Sequence, residues 1–270
     1  MNLKIIDNNK TRTINCPTAW SEMKAKELVL IVPFLFDRIR ELPMRVGAMS
    51  ALTGIALHKI SPTVARDIVS KSTFLQEPCD IFIINKIYPT LLRPFYLPAA
   101  GFKNITALEY ATFQHQLGIF LNPTNSSYQK QTALNTMVAH LCRPEPVRTN
   151  EAHPIDDKRE AYDQHKCDGR IAMIKNKVAE PLKLAILWQF LQAERHLKET
   201  FSSAMKTRKG KKVETSAPQL TGQSTIDMIY DMAEKHIFGD FTATANTRIY
   251  TLYNYMMVQS KKRKQQSVKL

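Results

Sequence analysis

Glycine is scarce in this chain, with 8 in 270 residues, and cysteine scarcer still, with 4. So few glycines beside a 44% hydrophobic fraction exclude a fibrous or wholly disordered chain. Cys16, Cys79, Cys142 and Cys167 are scattered and form no C-x-x-C pair, so neither dithiol chemistry nor a cysteine metal site is spelled out. Buried free thiols are the simpler reading. His140 with Cys142, and His165 with Cys167, are two residues apart, which on a helix points the side chains to different faces. Apolar runs such as Leu28 to Phe36 fall well short of the ~18 residues that span a membrane. Met1 to Asp7 lacks the apolar segment and cleavage site of a secretory signal, so a cytoplasm is the expected compartment.

Catalytic signatures are missing as well. There is no dinucleotide-binding glycine fingerprint, no phosphate-loop lysine, no paired-histidine zinc helix and no nucleophile elbow. Asp156, Asp157, Glu160 and Asp163 gather four carboxylates, and Asp156 with Glu160 would share a helix face, but no partner or pocket is signalled. A solvated, negatively charged helix start explains them more simply. Lys158, Arg159 and Arg195 read as surface or helix-packing ion pairs. The expectation is a chain that is not an enzyme and needs no cofactor or metal.

What the sequence has in excess is positive charge, +14 in all. It is unevenly placed. Lys206 to Gln223 and Lys261 to Leu270 together carry ten bases against Glu214 alone, or +9, which leaves +5 for the other 242 residues. Both segments have little to bury and read as a basic flexible loop (206–223) and a frayed basic tail (261–270). Their Lys206, Arg208, Lys209, Lys211, Lys212, Lys261, Lys262, Arg263 and Lys264 either solvate the chain or form a non-specific polyanion contact, which salt would weaken steeply.

The remaining pattern is helical. Leu3 to Ile6 and Thr11 to Ile14 flank Asp7-Asn8-Asn9-Lys10, which predicts a small N-terminal β-hairpin. From Ser21 onward Leu28, Ile31, Val32, Leu35 and Phe36 follow the 3.6-residue period, with Pro33 placed to kink or split the helix. Short helices are predicted from Pro43 to Leu57 and Pro62 to Ser70. Asp80 to Ile84 fits either a strand or a buried helical turn, and Pro89 to Pro98 marks a connection and domain boundary.

Thr106-Ala107-Leu108-Glu109 has the form of a capping box opening a helix with Tyr110, Phe113, Leu117, Phe120 and Leu121 on its apolar face. The next helix carries Leu134, Met137, Val138, Leu141 and Cys142 and ends at Arg143-Pro144. A long helix is predicted from Asp156-Asp157 through Ile174, weakened at Gly169. Leu182 to Ala193 is apolar nearly all round, which predicts a helix central to the fold. A C-terminal pair follows, one helix capped by Ser224 with Ile226, Ile229, Tyr230 and Ala233 inward, the other carrying Ile249, Leu252, Tyr253, Met256 and Met257. The fold class is mainly α, a multi-helix bundle with a small N-terminal β-hairpin. Its expected segments are 1–98 (hairpin plus short helices), 99–205 (central bundle), the loop 206–223, the helical pair 224–260 and the tail 261–270.

Several of these signatures together resemble a known family. Trp20-Ser21-Glu22-Met23 followed by Leu28, the Leu134 to Pro144 helix ending, Arg159-Glu160-Ala161-Tyr162, Ala185-Ile186-Leu187-Trp188 with Phe190 and Arg195, and Ile237-Phe238-Gly239 are similar to a helical protein of tailed phages and prophages of Bacteroidetes-type hosts. The similarity runs from about Trp20 to Tyr253; Glu27 and the Lys206 to Gln223 insertion depart from it. The resemblance implies a tail-morphogenesis protein, non-enzymatic and chaperone-like, that binds the helical tape-measure protein through an exposed apolar groove. Two other readings stay open. One is a structural neck or tail component of the virion that self-associates into a homo-oligomer. The other is a basic accessory protein that binds nucleic acid weakly and without sequence preference.

Overall fold

The computed structural model describes residues 2–7, 10–15, 17–36, 41–90, 93–146, 157–202 and 222–267. Strands β1 (Asn2–Asp7) and β2 (Lys10–Asn15) pair antiparallel with Leu3 opposite Ile14 and Asp7 opposite Lys10, so the N-terminal hairpin is present. Its turn residues Asn8 and Asn9, like Cys16, lie outside the described residues. The rest is helical: α1 (Ala25–Leu35), α2 (Glu41–Thr53), α3 (Pro62–Ser70), α4 (Ala107–Leu121), α5 (Ser127–Leu141), α6 (Gln164–Lys177), α7 (Glu180–Thr200), α8 (Gly222–Glu234), α9 (Phe241–Asn246) and α10 (Ile249–Ser267). Three two-residue strands, β3 (Lys86–Ile87), β4 (Phe95–Tyr96) and β5 (Arg143–Pro144), make a small antiparallel sheet in that order. The mainly helical class with a small hairpin is therefore the observed one.

The chain forms two compact units: Met1–Ile84 with Ala179–Gln192, and Asn85–Val178 with Ala193–Leu270. In the first, α1 and α2 pack closely because Gly47 has no side chain, and a Cβ there would sit 2.4 Å from a Phe34 ring carbon. Pro33 does not split α1. It lies in the last turn on the exposed side, two residues before the helix ends, so little helix remains beyond it for a kink to displace. Met49, Leu57, Ile68 and Val69 form one buried cluster. Trp20, in a 3-10 turn before α1, stacks edge-on with Phe74 at 5.1 Å, lies 4.7 Å from Trp188 and donates Nε1–H to the Glu77 carbonyl.

Asp80 to Ile84 is neither strand nor helix. Both backbone groups of Ile84 are instead taken by one side chain: its N–H donates to Gln189 Oε1 (2.8 Å) and its carbonyl accepts from Gln189 Nε2 (3.0 Å). A buried primary amide thus does the work of a strand partner, which is why the buried backbone of Ile84 is tolerated at the end of a non-repetitive segment. The neighbouring Ala185, Ile186, Leu187, Trp188 and Phe190 are all buried, as an apolar α7 requires.

In the second unit α4 and α5 form an antiparallel hairpin, with α6 against α5 and α8 against α4. Phe102, Tyr110 and Phe113 pack edge-on or tilted, and Tyr110 meets Tyr253 of α10 at 6.3 Å. The α4–α8 contact is set by Gly222, whose missing Cβ would fall 2.6 Å from the Ala111 carbonyl oxygen and 2.7 Å from the His115 nitrogen. Thr225 donates to Gln114 Oε1 across the same contact (2.6 Å).

Several expectations are corrected in this unit. The helix expected to begin at Asp156-Asp157 begins at Gln164, capped by Asp163, whose carboxylate accepts from the Lys166 amide. Asp156 is outside the described residues, and Asp157 to Asp163 is non-helical because Asp157 and Arg159 are engaged elsewhere. The Pro89 to Pro98 connection contains β4. In α8, Gly222 rather than Ser224 starts the helix, and Tyr230 points outward at 58% exposure, resting 4.7 Å from Phe241. The C-terminal pair is three helices, and α10 continues through the expected tail as far as Ser267.

Candidate functional site

The densest polar cluster is built on the first turn of α4. Thr106 and Glu109 form the predicted capping box: the Glu109 amide donates to Thr106 Oγ1 (3.2 Å) and Glu109 Oε2 accepts from the Thr106 amide (2.8 Å). The second oxygen of the same carboxylate turns inward. Oε1 accepts from Arg143 Nη1 at 2.6 Å and from Arg159 Nη1 at 3.1 Å. All three side chains are essentially excluded from solvent.

Arg159 is the most completely satisfied group in the cluster. Beside Glu109 it donates to the carbonyls of Leu141 (3.0 Å) and Asn104 (3.1 Å), and it forks onto Asp157 through Nε (2.9 Å) and Nη2 (2.8 Å). Burial alone would lower its pKa, but Glu109 and Asp157 outweigh that and hold it above the ordinary arginine value. The guanidinium staples the end of α5, the turn before α4 and the 157–163 segment to one point. Arg143, from β5, lies 5.4 Å over the Tyr162 ring, and its Nε has no partner among the described residues. Glu160 pairs with Arg170 of α6. A cavity of about 290 Å³ opens here, lined by Glu109, Arg143, Asp157, Arg159, Tyr162 and Arg248 among others.

A second polar chain runs beside it. His140 Nδ1 lies 2.9 Å from Tyr162 Oη, and Nε2 lies 3.0 Å from Asp168 Oδ1. A carboxylate only accepts, so Nε2 carries the proton and Nδ1 accepts from the tyrosine, whose oxygen lies 3.4 Å from Thr112 Oγ1. Burial lowers the His140 pKa, opposed by Asp168, so the ring is neutral at pH 7. Burial raises the Tyr162 hydroxyl to about 12, which keeps its proton in place. The relay orients four elements and holds no group poised as a nucleophile. Cys167 beside it is likewise pushed up to about 11 by burial, Cys79 in the first unit to about 11, and Cys142 is raised further. All three are free buried thiols.

Among the described residues no group of histidine, cysteine and carboxylate side chains is arranged to hold a metal, and no helix is long and apolar enough to cross a membrane. Of the basic residues singled out in the sequence, Lys206, Arg208, Lys209, Lys211 and Lys212 lie outside the described residues. Lys261 and Lys262 are exposed on α10, and Arg263 and Lys264 follow in the same helical turn. Lys158 is exposed, 5.8 Å from the Tyr96 ring centre, whereas Arg195 makes the expected surface ion pair, with Glu199. Arg159 is instead the most buried charge of the network. The part of the network that was readable locally was the Thr106–Glu109 capping box; no local pattern tied it to Arg143 or Arg159.

Compared with known proteins, the chain matches no protein-family model, and no curated protein and no solved structure is significantly similar to it.

Proposed function

We propose that this chain is a non-enzymatic tail-morphogenesis protein of a tailed phage or prophage, an assembly chaperone that binds a helical tail protein such as the tape measure in the host cytoplasm. Two things support the reading: the resemblance carried by the helix signatures above, and the apolar surface at the turn joining α4 and α5. There Leu121 is 57% exposed and Tyr128 71% exposed, one on each side of the connection. The opposite end of the α4–α5 hairpin is tied together by Glu109, Arg143 and Arg159. A helical hairpin ending in apolar side chains suits an amphipathic partner helix, which covers them on binding.

The test is co-expression with the tape-measure protein of the same genome. Co-purification of the pair, reduced at least about 10-fold by Leu121→Ser with Tyr128→Ser, supports the reading; each lost apolar anchor is worth more than ~1 kcal/mol. Absence of any complex, or a complex indifferent to both substitutions, overturns it. A structural neck or tail role is favoured by one observation, the β1–β2 hairpin, which pairs with no third strand among the described residues and so offers open edges. Retention in purified particles would select that role.

A further inference from the structure

The C-terminal helix carries an arrangement that neither the buried network nor the apolar hairpin end accounts for. The first half of α10 is anchored: Ile249, Leu252 and Tyr253 are buried, and Tyr255 packs edge-on against Phe238 at 5.7 Å, with Tyr253 the last fully buried residue of the helix among those described. From Asn254 to Ser267 the helix runs on for about 21 Å. Along this stretch Met256 and Met257 are partly covered, Val258 is 46% exposed, and Lys261 and Lys262 are exposed. No acidic residue occurs after Asp240.

Positions 261 to 264 are Lys, Lys, Arg and Lys. Consecutive helical positions step about 100° around the axis, so these four positions are spread around it rather than gathered on one face. No side of this collar can be laid on an apolar core without burying a charge, and no side is apolar enough to lie in a lipid surface. Cations in the last turn of a helix do suit its dipole, but one or two on any side would serve that purpose. A full collar suits a surrounding that is anionic on opposite sides at once.

We infer that the end of α10 is a phosphate-binding element that enters the major groove of duplex DNA. A helix about 10 to 12 Å across matches the roughly 12 Å width of that groove, and the groove is walled by phosphates on both sides. An acidic polypeptide or a flat surface presents anions to one side only. The major groove of duplex RNA is too narrow and deep to admit the helix. No base-reading group is implied, so the contact is electrostatic and indifferent to sequence.

The measurement is fluorescence anisotropy of a labelled mixed-sequence DNA duplex of about 20 base pairs titrated with the full chain from about 50 to 200 mM salt. Four phosphate contacts give a slope of about −3.6 in log K against log salt, an affinity loss of roughly 100-fold over that range. K261Q/K262Q/R263Q/K264Q, which keeps good helix formers at every position, should weaken binding at least about 10-fold and remove about 3 to 4 from the slope. K261R/K262R/K264R, folded alike and equal in charge, should restore both. Circular dichroism confirms that each variant keeps its helix content. Equal affinity and slope for the glutamine variant, with binding lost only when Lys206, Arg208, Lys209, Lys211 and Lys212 are neutralised, would overturn the inference. So would duplex RNA bound as tightly as DNA, or displacement of DNA by a poly-glutamate peptide at equal charge.

Discussion

Glu109 is one carboxylate with two oxygens facing different tasks. Oε2 closes the cap of α4, and Oε1 accepts from two guanidiniums that are out of reach of water, one of which Asp157 also balances. Glu109→Ala removes both at once and leaves Arg143 buried with no counter-charge among the described residues, so we expect a loss of about 3–5 kcal/mol in a urea titration followed by circular dichroism. The cap was readable from Thr106 and Glu109 because its members are three residues apart. Its ionic partners lie 34 and 50 residues further along the chain, and no local pattern links them.

His140 gives the molecule an acid limit. Its folded pKa lies below the ordinary histidine value, so the unfolded chain binds the proton more readily. Its contribution is complete above the unfolded value of about 6.5 and declines as pH falls through that value towards the folded one. Unfolding midpoints in urea should therefore drop between pH 7.5 and 5.5, and His140→Gln should flatten that part of the profile.

At the scale of elements, periodicity located the helices and misjudged where some begin. Asp157 looked like a helix start because acids favour that place, yet it is bound to Arg159, and the cap falls to Asp163. Asp80 to Ile84 resisted assignment for a related reason: its partner is a side chain about a hundred residues away, Gln189. Glycines separate packing from flexibility in the same helices. A methyl group added at Gly169 in α6 would meet nothing within 4 Å, and the backbone φ there is ordinary, so Gly169→Ala should stabilise by about 0.5–1 kcal/mol. Gly222→Ala would push a methyl into the α4 backbone and should destabilise by about 1–3 kcal/mol. The two should move the thermal midpoint in opposite directions, by about 2–4 °C per kcal/mol.

For the whole molecule, the mainly helical class and the buried character of α7 were legible from composition and periodicity. The partition was not. A break at prolines is a local signal, whereas the first unit is completed by Ala179–Gln192 from far along the chain. Trp20 needs Trp188, and Ile84 needs Gln189. A fragment of residues 1–84 should accordingly lack the near-ultraviolet circular dichroism of fixed aromatic packing that the intact chain displays.

That interrupted layout imposes a delay during translation. At about 5–20 residues per second, roughly 5 to 20 s separate synthesis of Ile84 from that of Gln192. Throughout that interval the nascent amino-terminal portion waits with apolar side chains uncovered, and a ribosome stalled ahead of α7 would leave it open to capture by cellular folding factors.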